Sequence, residues 1–362
     1  MKTTFRWYGE GNDTVTLEQI RQIPSMTGVV WALHDLAAGE VWPEVRIAAV
    51  KAQAAQYGLN IDVVESVNVH EAIKLGTPER EQYIENYKES LRNLGKHGVK
   101  VVCYNFMPVF DWMRTDLFHP MADGATALFY DASAMEGLDP KALVKSVEEG
   151  SNGLTLPGWE PERLAHLDKL FDAYKSVSED DLRRNLKYFL EAIIPTAEQA
   201  GIKMAIHPDD PPFSIFGLPR IVKNYADLKA ILEMVESPSN GLTLCSGALG
   251  PNPDNDLVQM IHDFHDRIPF AHIRNIKRFP NGDFIETSHM SSDGSLDIAA
   301  IVRAYHDVGF KGYYRPDHGR HIWGEQCRPG YGLYDRALGI MYIQGVWDMC
   351  EKAARGQARN SP

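Results

Sequence analysis

Eight short apolar, β-branched or aromatic runs alternate along this chain with helical periodicities, and that alternation constrains the fold more than any other feature. The runs fall at 3–9, 28–33, 61–67, 100–107, 203–207, 241–245, 269–273 and 312–315. Several, such as Val99-Lys100-Val101-Val102-Cys103-Tyr104, show little polar alternation. A parallel strand buried on both faces needs such a near-continuous apolar run. Between the runs, apolar residues recur at spacings of three and four. Examples are Ile84, Tyr87, Leu91 and Leu94, then Leu182, Leu186, Leu190 and Ile193 before Pro195, and Leu228, Ile231, Leu232 and Val235. Leu257, Met260, Ile261 and Phe264 continue the series, and Leu338, Met341, Tyr342, Val346 and Met349 close it. Each set marks one face of a helix. Thr77-Pro78 starts the first of them, because Pro lacks an N–H that the first turn leaves unpaired anyway, and Gly98 ends it. Strand-then-helix units of this kind build a parallel sheet with right-handed connections. Eight units predict an α/β chain closed into a (β/α)8 TIM barrel, one domain over 1–362. An open doubly wound sheet is the other architecture this rhythm allows.

Two segments break the rhythm. Between Trp112 and Asp180 there is no clear strand run, and short helical patterns surround Gly150-Ser151-Asn152-Gly153 and Leu156-Pro157-Gly158-Trp159. This stretch, 113–180, follows the fourth strand and reads as a mostly helical, cap-like insertion over the C-terminal mouth of the barrel, where active sites of this fold lie. The second segment, 279–285, carries Asn281-Gly282 between apolar flanks and predicts a β-hairpin after strand seven.

Composition narrows the function. A formal charge of −12 argues against a nucleic-acid partner, which needs a basic face. No apolar run is long enough to span a bilayer, so no membrane partner is expected. Four cysteines in 362 residues are too few for a disulfide scaffold and read as reduced thiols. The opening Met1-Lys2-Thr3-Thr4-Phe5-Arg6-Trp7 has no apolar core of a secretory signal. Together these predict a cytoplasmic protein.

No short catalytic signature is present, neither G-x-S-x-G, H-E-x-x-H, a P-loop nor a helix-opening G-x-G-x-x-G. The information lies instead in which polar groups end the strands, since those residues point into a shared cup. The last four strands end in His207, Cys245, His272 and, two residues beyond strand eight, Asp317. Alone, each has an ordinary explanation: a hydrogen-bonded rim histidine, a small buried thiol, a turn-capping aspartate. Placed at four successive strand tips, imidazole, thiolate and carboxylate donors form a divalent transition-metal site, and the cysteine disfavours Mg²⁺ and Ca²⁺.

Other polar groups ring the same cup. Arg274 and Arg315 suit bidentate carboxylate binding, or they are rim charges or partners of Asp209 or Asp210. His34, Asn105 and Glu65 end earlier strands and are candidate substrate contacts, His318 adjoins Asp317, and Tyr331 and Tyr334 lie on the loop before the last helix.

Several segments, in order and company, carry a resemblance that covers essentially the whole chain. They are Tyr104-Asn105-Phe106-Met107-Pro108-Val109-Phe110-Asp111-Trp112, His207-Pro208-Asp209-Asp210-Pro211-Pro212, Arg274-Asn275-Ile276, Arg315-Pro316-Asp317-His318-Gly319 and Gly330-Tyr331-Gly332-Leu333-Tyr334-Asp335-Arg336-Ala337. In these the chain resembles the D-mannonate dehydratase family, barrels related to xylose isomerase. The resemblance implies dehydration of D-mannonate to 2-keto-3-deoxy-D-gluconate in hexuronate (glucuronate) breakdown, with Mn²⁺ or Fe²⁺ and no organic cofactor. It implies ligands at His207, Cys245, His272 and Asp317, a catalytic His318, and a catalytic tyrosine at Tyr331 in preference to Tyr334. A homodimer is expected, with Trp323 and nearby aromatics as one possible contact. A metal-dependent sugar isomerase or epimerase on the same barrel is the alternative function. It would shuttle a proton without losing water, usually with paired strand-end Glu residues, and here Glu65 alone fits that role.

Overall fold

The computed structural model describes residues 1–135, 137, 139, 140 and 167–359. Twelve strands lie among the described residues: β1 (Lys2–Arg6), β2 (Met26–Trp31), β3 (Asn60–Glu65), β4 (Val101–Tyr104), β5 (Asp116–Pro120), β6 (Thr126–Tyr130), β7 (Lys203–Ile206), β8 (Asn240–Cys245), β9 (Phe270–His272), β10 (Ile276–Arg278), β11 (Phe284–Glu286) and β12 (Tyr313–Arg315). The helices are α1 (Leu17–Arg21), α2 (Glu44–Gln56), α3 (Glu71–Leu75), α4 (Arg80–Lys96), α5 (Leu167–Tyr174), α6 (Glu179–Ala200), α7 (Tyr225–Met234), α8 (Ser246–Leu249), α9 (Leu257–Phe264), α10 (Ile298–Asp307) and α11 (Tyr334–Arg359).

Eight strands close a parallel barrel in the order β1-β12-β9-β8-β7-β4-β3-β2, and each apolar run read from the sequence supplies one of them. Val30, Val63, Val101, Ala205 and Phe270 are buried together in a cluster of their own, apart from the larger core that holds the inner faces of the helices. Register matters for the site. Cys245 pairs with His272, and His272 with Arg315, so three polar side chains stand side by side at the end of β8, β9 and β12.

The periodicities mark real helices, with two differences. Helix α6 does not stop at Pro195 but runs on to Ala200, where Gly201 caps it at φ 67°. Buried Thr196 and Ala197 hold the last turn against the core, outweighing the backbone hydrogen bond that Pro removes. In α11, Leu338, Met341 and Met349 face outward, and Ile340 and Ile343 are the buried pair. That helix is apolar on both sides, so spacing alone did not tell the inner face from the outer.

The hairpin after the seventh barrel strand is present as β10 and β11, with Gly282 at φ 89° in its turn. The start of the insertion differs from the helical expectation. Residues 116–130 form the β5–β6 hairpin, and β6 pairs with β11, giving a four-stranded antiparallel sheet β10-β11-β6-β5. These strands were not evident because half of their pairing comes from a hairpin far along the chain. A signal was present in Asp123-Gly124, with Gly124 at φ 85°, between Leu117-Phe118 and Leu128-Phe129. The cap-like part at 141–166 lies outside the described residues. No helix among the described residues is long and apolar enough to cross a membrane.

Candidate active site

His207, Cys245 and His272 each offer a ligand atom, and the three atoms lie within 4.8 Å of one another. His207 Nε2 is 3.2 Å from His272 Nδ1. The other nitrogen of His207, Nδ1, lies 2.7 Å from the Pro208 carbonyl, which fixes its proton there and leaves Nε2 with its lone pair toward the cluster. Asp317 adjoins the same point, with Oδ1 3.6 Å from His272 Nδ1 and Oδ2 accepting from the Cys245 thiol at 3.3 Å. Its backbone is left-handed at φ 61°, a conformation that Asp tolerates better than most side chains. Cys245 also caps the short helix α8, its sulfur accepting from Ala248 N–H at 3.3 Å.

Electrostatics suit a cation here. Burial, with the Arg315 guanidinium beside it, holds His272 at about 4, so the ring is neutral near pH 7. Burial alone would raise the Asp317 carboxyl, but Arg274 and Arg315 hold it well below the usual carboxylate range. Burial and the neighbouring Asp317 push the Cys245 thiol up. Among the described residues, a chain of buried ion pairs sets Arg114, Arg274 and Arg315 against Glu65, Asp210, Glu286 and Asp317, one negative charge in excess. A thiolate at Cys245 would make the excess two, which one divalent cation cancels. The donor set and the charge balance both fit such an ion.

His318 and Tyr331 stand beside this cluster and line the same cavity. Tyr331 Oη is 2.9 Å from His318 Nε2. Nδ1 of His318 lies 3.0 Å from Glu286 Oε1 and 2.7 Å from an Arg274 nitrogen. With its proton on Nδ1 the ring donates to the carboxylate; with its proton on Nε2 it accepts from Arg274 instead. Burial raises the Tyr331 phenol well above its ordinary value, so it is protonated at neutral pH. Tyr334 is exposed and packs on Trp323 with ring centres 5.5 Å apart, away from the cavity.

The two strand-end arginines differ. Arg274 is engaged by Asp210 at 2.8 Å and by Glu286 at 3.1 Å, the ion-pair alternative left open by the sequence. It fits only because residue 247 is glycine, where a Cβ would come within 1.9 Å of Arg274 Nε. Arg315 grips Glu65 through two 2.9 Å hydrogen bonds and reaches His272 Nε2 at 3.0 Å. Its NH1 nitrogen is 2.9 Å from Asp317 Oδ1 yet makes no aligned hydrogen bond, so a buried donor is left over at the cavity wall. His34 also lines the cavity, its Nε2 3.3 Å from Arg6, and burial lowers it well below its ordinary value. Asn105 also lines the cavity, and its Oδ1 accepts from Met107 N–H at 3.3 Å.

Sequence reasoning missed Arg6, Arg114 and Glu286. Arg6 ends β1 and lines the cavity, so the strand-end rule applied to the first strand would have found it. Glu286 ends β11 one residue beyond the recognised turn segment. Arg114 gave no local signal, because its partners Asp210 and Glu286 lie 96 and 172 residues away.

The D-mannonate dehydratase (UxuA) family model matches residues 1–357. A mannonate dehydratase from Shouchella clausii is 63% identical over 355 residues, 98% of this chain and 99% of that protein. The crystal structure of mannonate dehydratase from Streptococcus suis serotype 2 matches with a TM-score of 0.88 at 46% identity, covering 98% of this chain and 96% of that one. A xylose isomerase domain protein from Planctomyces limnophilus matches with a TM-score of 0.54 at 10% identity, over 97% of this chain and 99% of that one, a likeness of fold alone.

Proposed function

The chain belongs to the D-mannonate dehydratase family, which are hydro-lyases, and from that membership we propose that it eliminates water from D-mannonate to give 2-keto-3-deoxy-D-gluconate in hexuronate breakdown. His207, Cys245, His272 and Asp317 would hold Mn²⁺ or Fe²⁺ in this reading. The observation that carries it is the convergence of those nitrogen, sulfur and oxygen donors at the wall of the cavity that His207, Asp317 and the hydrogen-bonded His318–Tyr331 pair line.

The reaction removes the C2 proton and expels the C3 hydroxyl. The C2–H electron pair becomes the C2=C3 bond, the C3–O pair leaves with the hydroxyl, and an added proton makes it water. The resulting enol takes a proton at C3 and becomes the 2-ketone. C2 is oxidised as C3 is reduced, so no redox cofactor is required. A bound divalent cation supplies Lewis-acid stabilisation of the charge that builds beside the substrate carboxylate. The spare NH1 donor of Arg315 gives that carboxylate a single charge-assisted hydrogen bond, since Nε and NH2 are held by Glu65. Tyr331, held protonated by burial, gives the proton to the departing hydroxyl. His318 accepts the C2 proton at Nε2.

The test is 2-keto acid release from D-mannonate by native, chelator-treated and Mn²⁺-restored protein. Activity should vanish and return. Full activity in metal-free protein, or an isomerised sugar acid with no loss of water, would defeat the reading. We also propose a cytoplasmic homodimer. The outward Trp323, 73% exposed, with Tyr334, Leu338 and Met341 makes an apolar stripe suited to a second copy, and sedimentation velocity would test it.

A further inference from the structure

The carboxylate of Glu286 is buried at 1% exposure, yet it comes from a hairpin outside the barrel. Both of its oxygens approach one atom, His318 Nδ1, at 3.0 and 3.1 Å. Arg114 donates to Oε1 at 2.7 Å and Arg274 at 3.1 Å. Burial alone would raise this carboxyl, but Arg274 beside it, with Arg114, holds it at about 2. The two arginines are held in turn by Asp210, which accepts from each at 2.8 Å. The Glu286 carboxylate is thus fixed from behind and offers its remaining acceptor capacity to the imidazole.

We propose that Glu286 is a positioning residue for the dehydration, orienting His318 and fixing its ring proton on Nδ1 so that the Nε2 lone pair faces Tyr331 and the cavity. The inference rests on the dehydratase reading, since it gives His318 its task. A carboxylate serving only to balance Arg114 and Arg274 has no need to reach the ring. Here Nδ1 faces both Glu286, at 3.0 Å, and an Arg274 nitrogen, at 2.7 Å, while the protonated Tyr331 lies 2.9 Å from Nε2 and can donate there only when that nitrogen carries no proton. The Trp112 ring, 5.6 Å from it, packs against the imidazole.

The test separates charge balance from reach. Glu286→Asp keeps the charge opposite both arginines and withdraws it from His318 by one methylene. Glu286→Gln keeps the reach and removes the charge. In Mn²⁺-loaded protein, both should lower kcat by ~10- to 100-fold while KM and metal content stay near the wild-type values. In ¹⁵N-histidine spectra of the metal-free chain, the His318 ring, identified by its loss in His318→Gln, should carry its proton on Nδ1 in the wild type. It should shift toward the Nε2 form in both variants. Wild-type kcat in Glu286→Asp, or a fall in kcat with the His318 tautomer unchanged, would overturn the proposal. If Glu286→Gln does not fold, Glu286→Asp alone decides. If the wild type fails to dehydrate mannonate, the reaction is misread, and the tautomer comparison still judges the positioning role.

Discussion

Cys245 Sγ stands 3.3 Å from Asp317 Oδ2, joining the sixth strand of the barrel to the residue two places beyond the eighth. The contact depends on register, because β8 and β12 both pair with β9 and bring their ends to one depth. It sets a thiol, a carboxylate and two imidazoles around a common point.

Cys245→Ser should keep the fold and weaken metal. Serine caps a helix start as well as cysteine does, so α8 retains its Ala248 N–H partner. A hydroxyl is a poor substitute for a thiolate toward Mn²⁺ or Fe²⁺. Outer-shell changes alone cost ~10- to 100-fold in affinity, and loss of a direct ligand should cost no less. Metal content after gel filtration, with far-UV circular dichroism as the control, checks this. Unchanged metal with Ser at 245 would leave Cys245 as packing only.

Tyr331→Phe should lower kcat by ~10²- to 10⁴-fold, the ordinary loss of a proton donor, with little change in KM. Tyr334→Phe should leave kcat near the wild-type value, since that ring lies on Trp323 at the surface. Steady-state kinetics of the two variants side by side decide between them. Equal losses would mean that the loop, and not the phenol, is what matters.

Glu65→Ala should destabilise the protein by less than the ~3–5 kcal/mol of a fully stranded buried charge, because Asp317 stays 2.9 Å from Arg315. Arg315 would lose both 2.9 Å hydrogen bonds and remain buried. Urea unfolding measures the loss. Because the same guanidinium touches His272, metal affinity should fall together with stability. A stable variant that binds metal normally would show that Arg315 does not need Glu65.

Stability should decline as pH falls from about 6.5 toward 4. Burial holds His321 at about 4, where its Nε2 accepts from Gly330 N–H at 2.9 Å. Between those pH values the unfolded chain takes up a proton that the folded ring refuses, so stability rises with pH across the window. The upper limit from this group is roughly 3 kcal/mol. Melting temperatures from pH 7 to pH 4 should show a shallower fall in His321→Gln. An identical slope in that variant would assign the acid sensitivity elsewhere.

The barrel was legible because a strand covered on both faces is apolar along its length, as in Val101-Val102-Cys103-Tyr104. The meeting of His207, Cys245 and His272 was legible for the same reason, since each stands where an apolar run ends. The hairpin at Asn281-Gly282 announced itself through its turn. What stayed hidden depends on partners remote in the chain. β6 is a strand partly because β11 lies beside it, and Arg114 is buried because Asp210 and Glu286 neutralise it. The inner face of α11 was ambiguous because Leu338 and Met341 are as apolar as Ile340 and Ile343.

The sheet shared by β5, β6, β10 and β11 ties the first strands of the insertion and the Glu286–His318 contact into a single mechanical part. Glu286, which touches His318, hangs from the same ladder that anchors the first strands of the insertion. Any displacement of that sheet away from the barrel would pull the carboxylate off the imidazole.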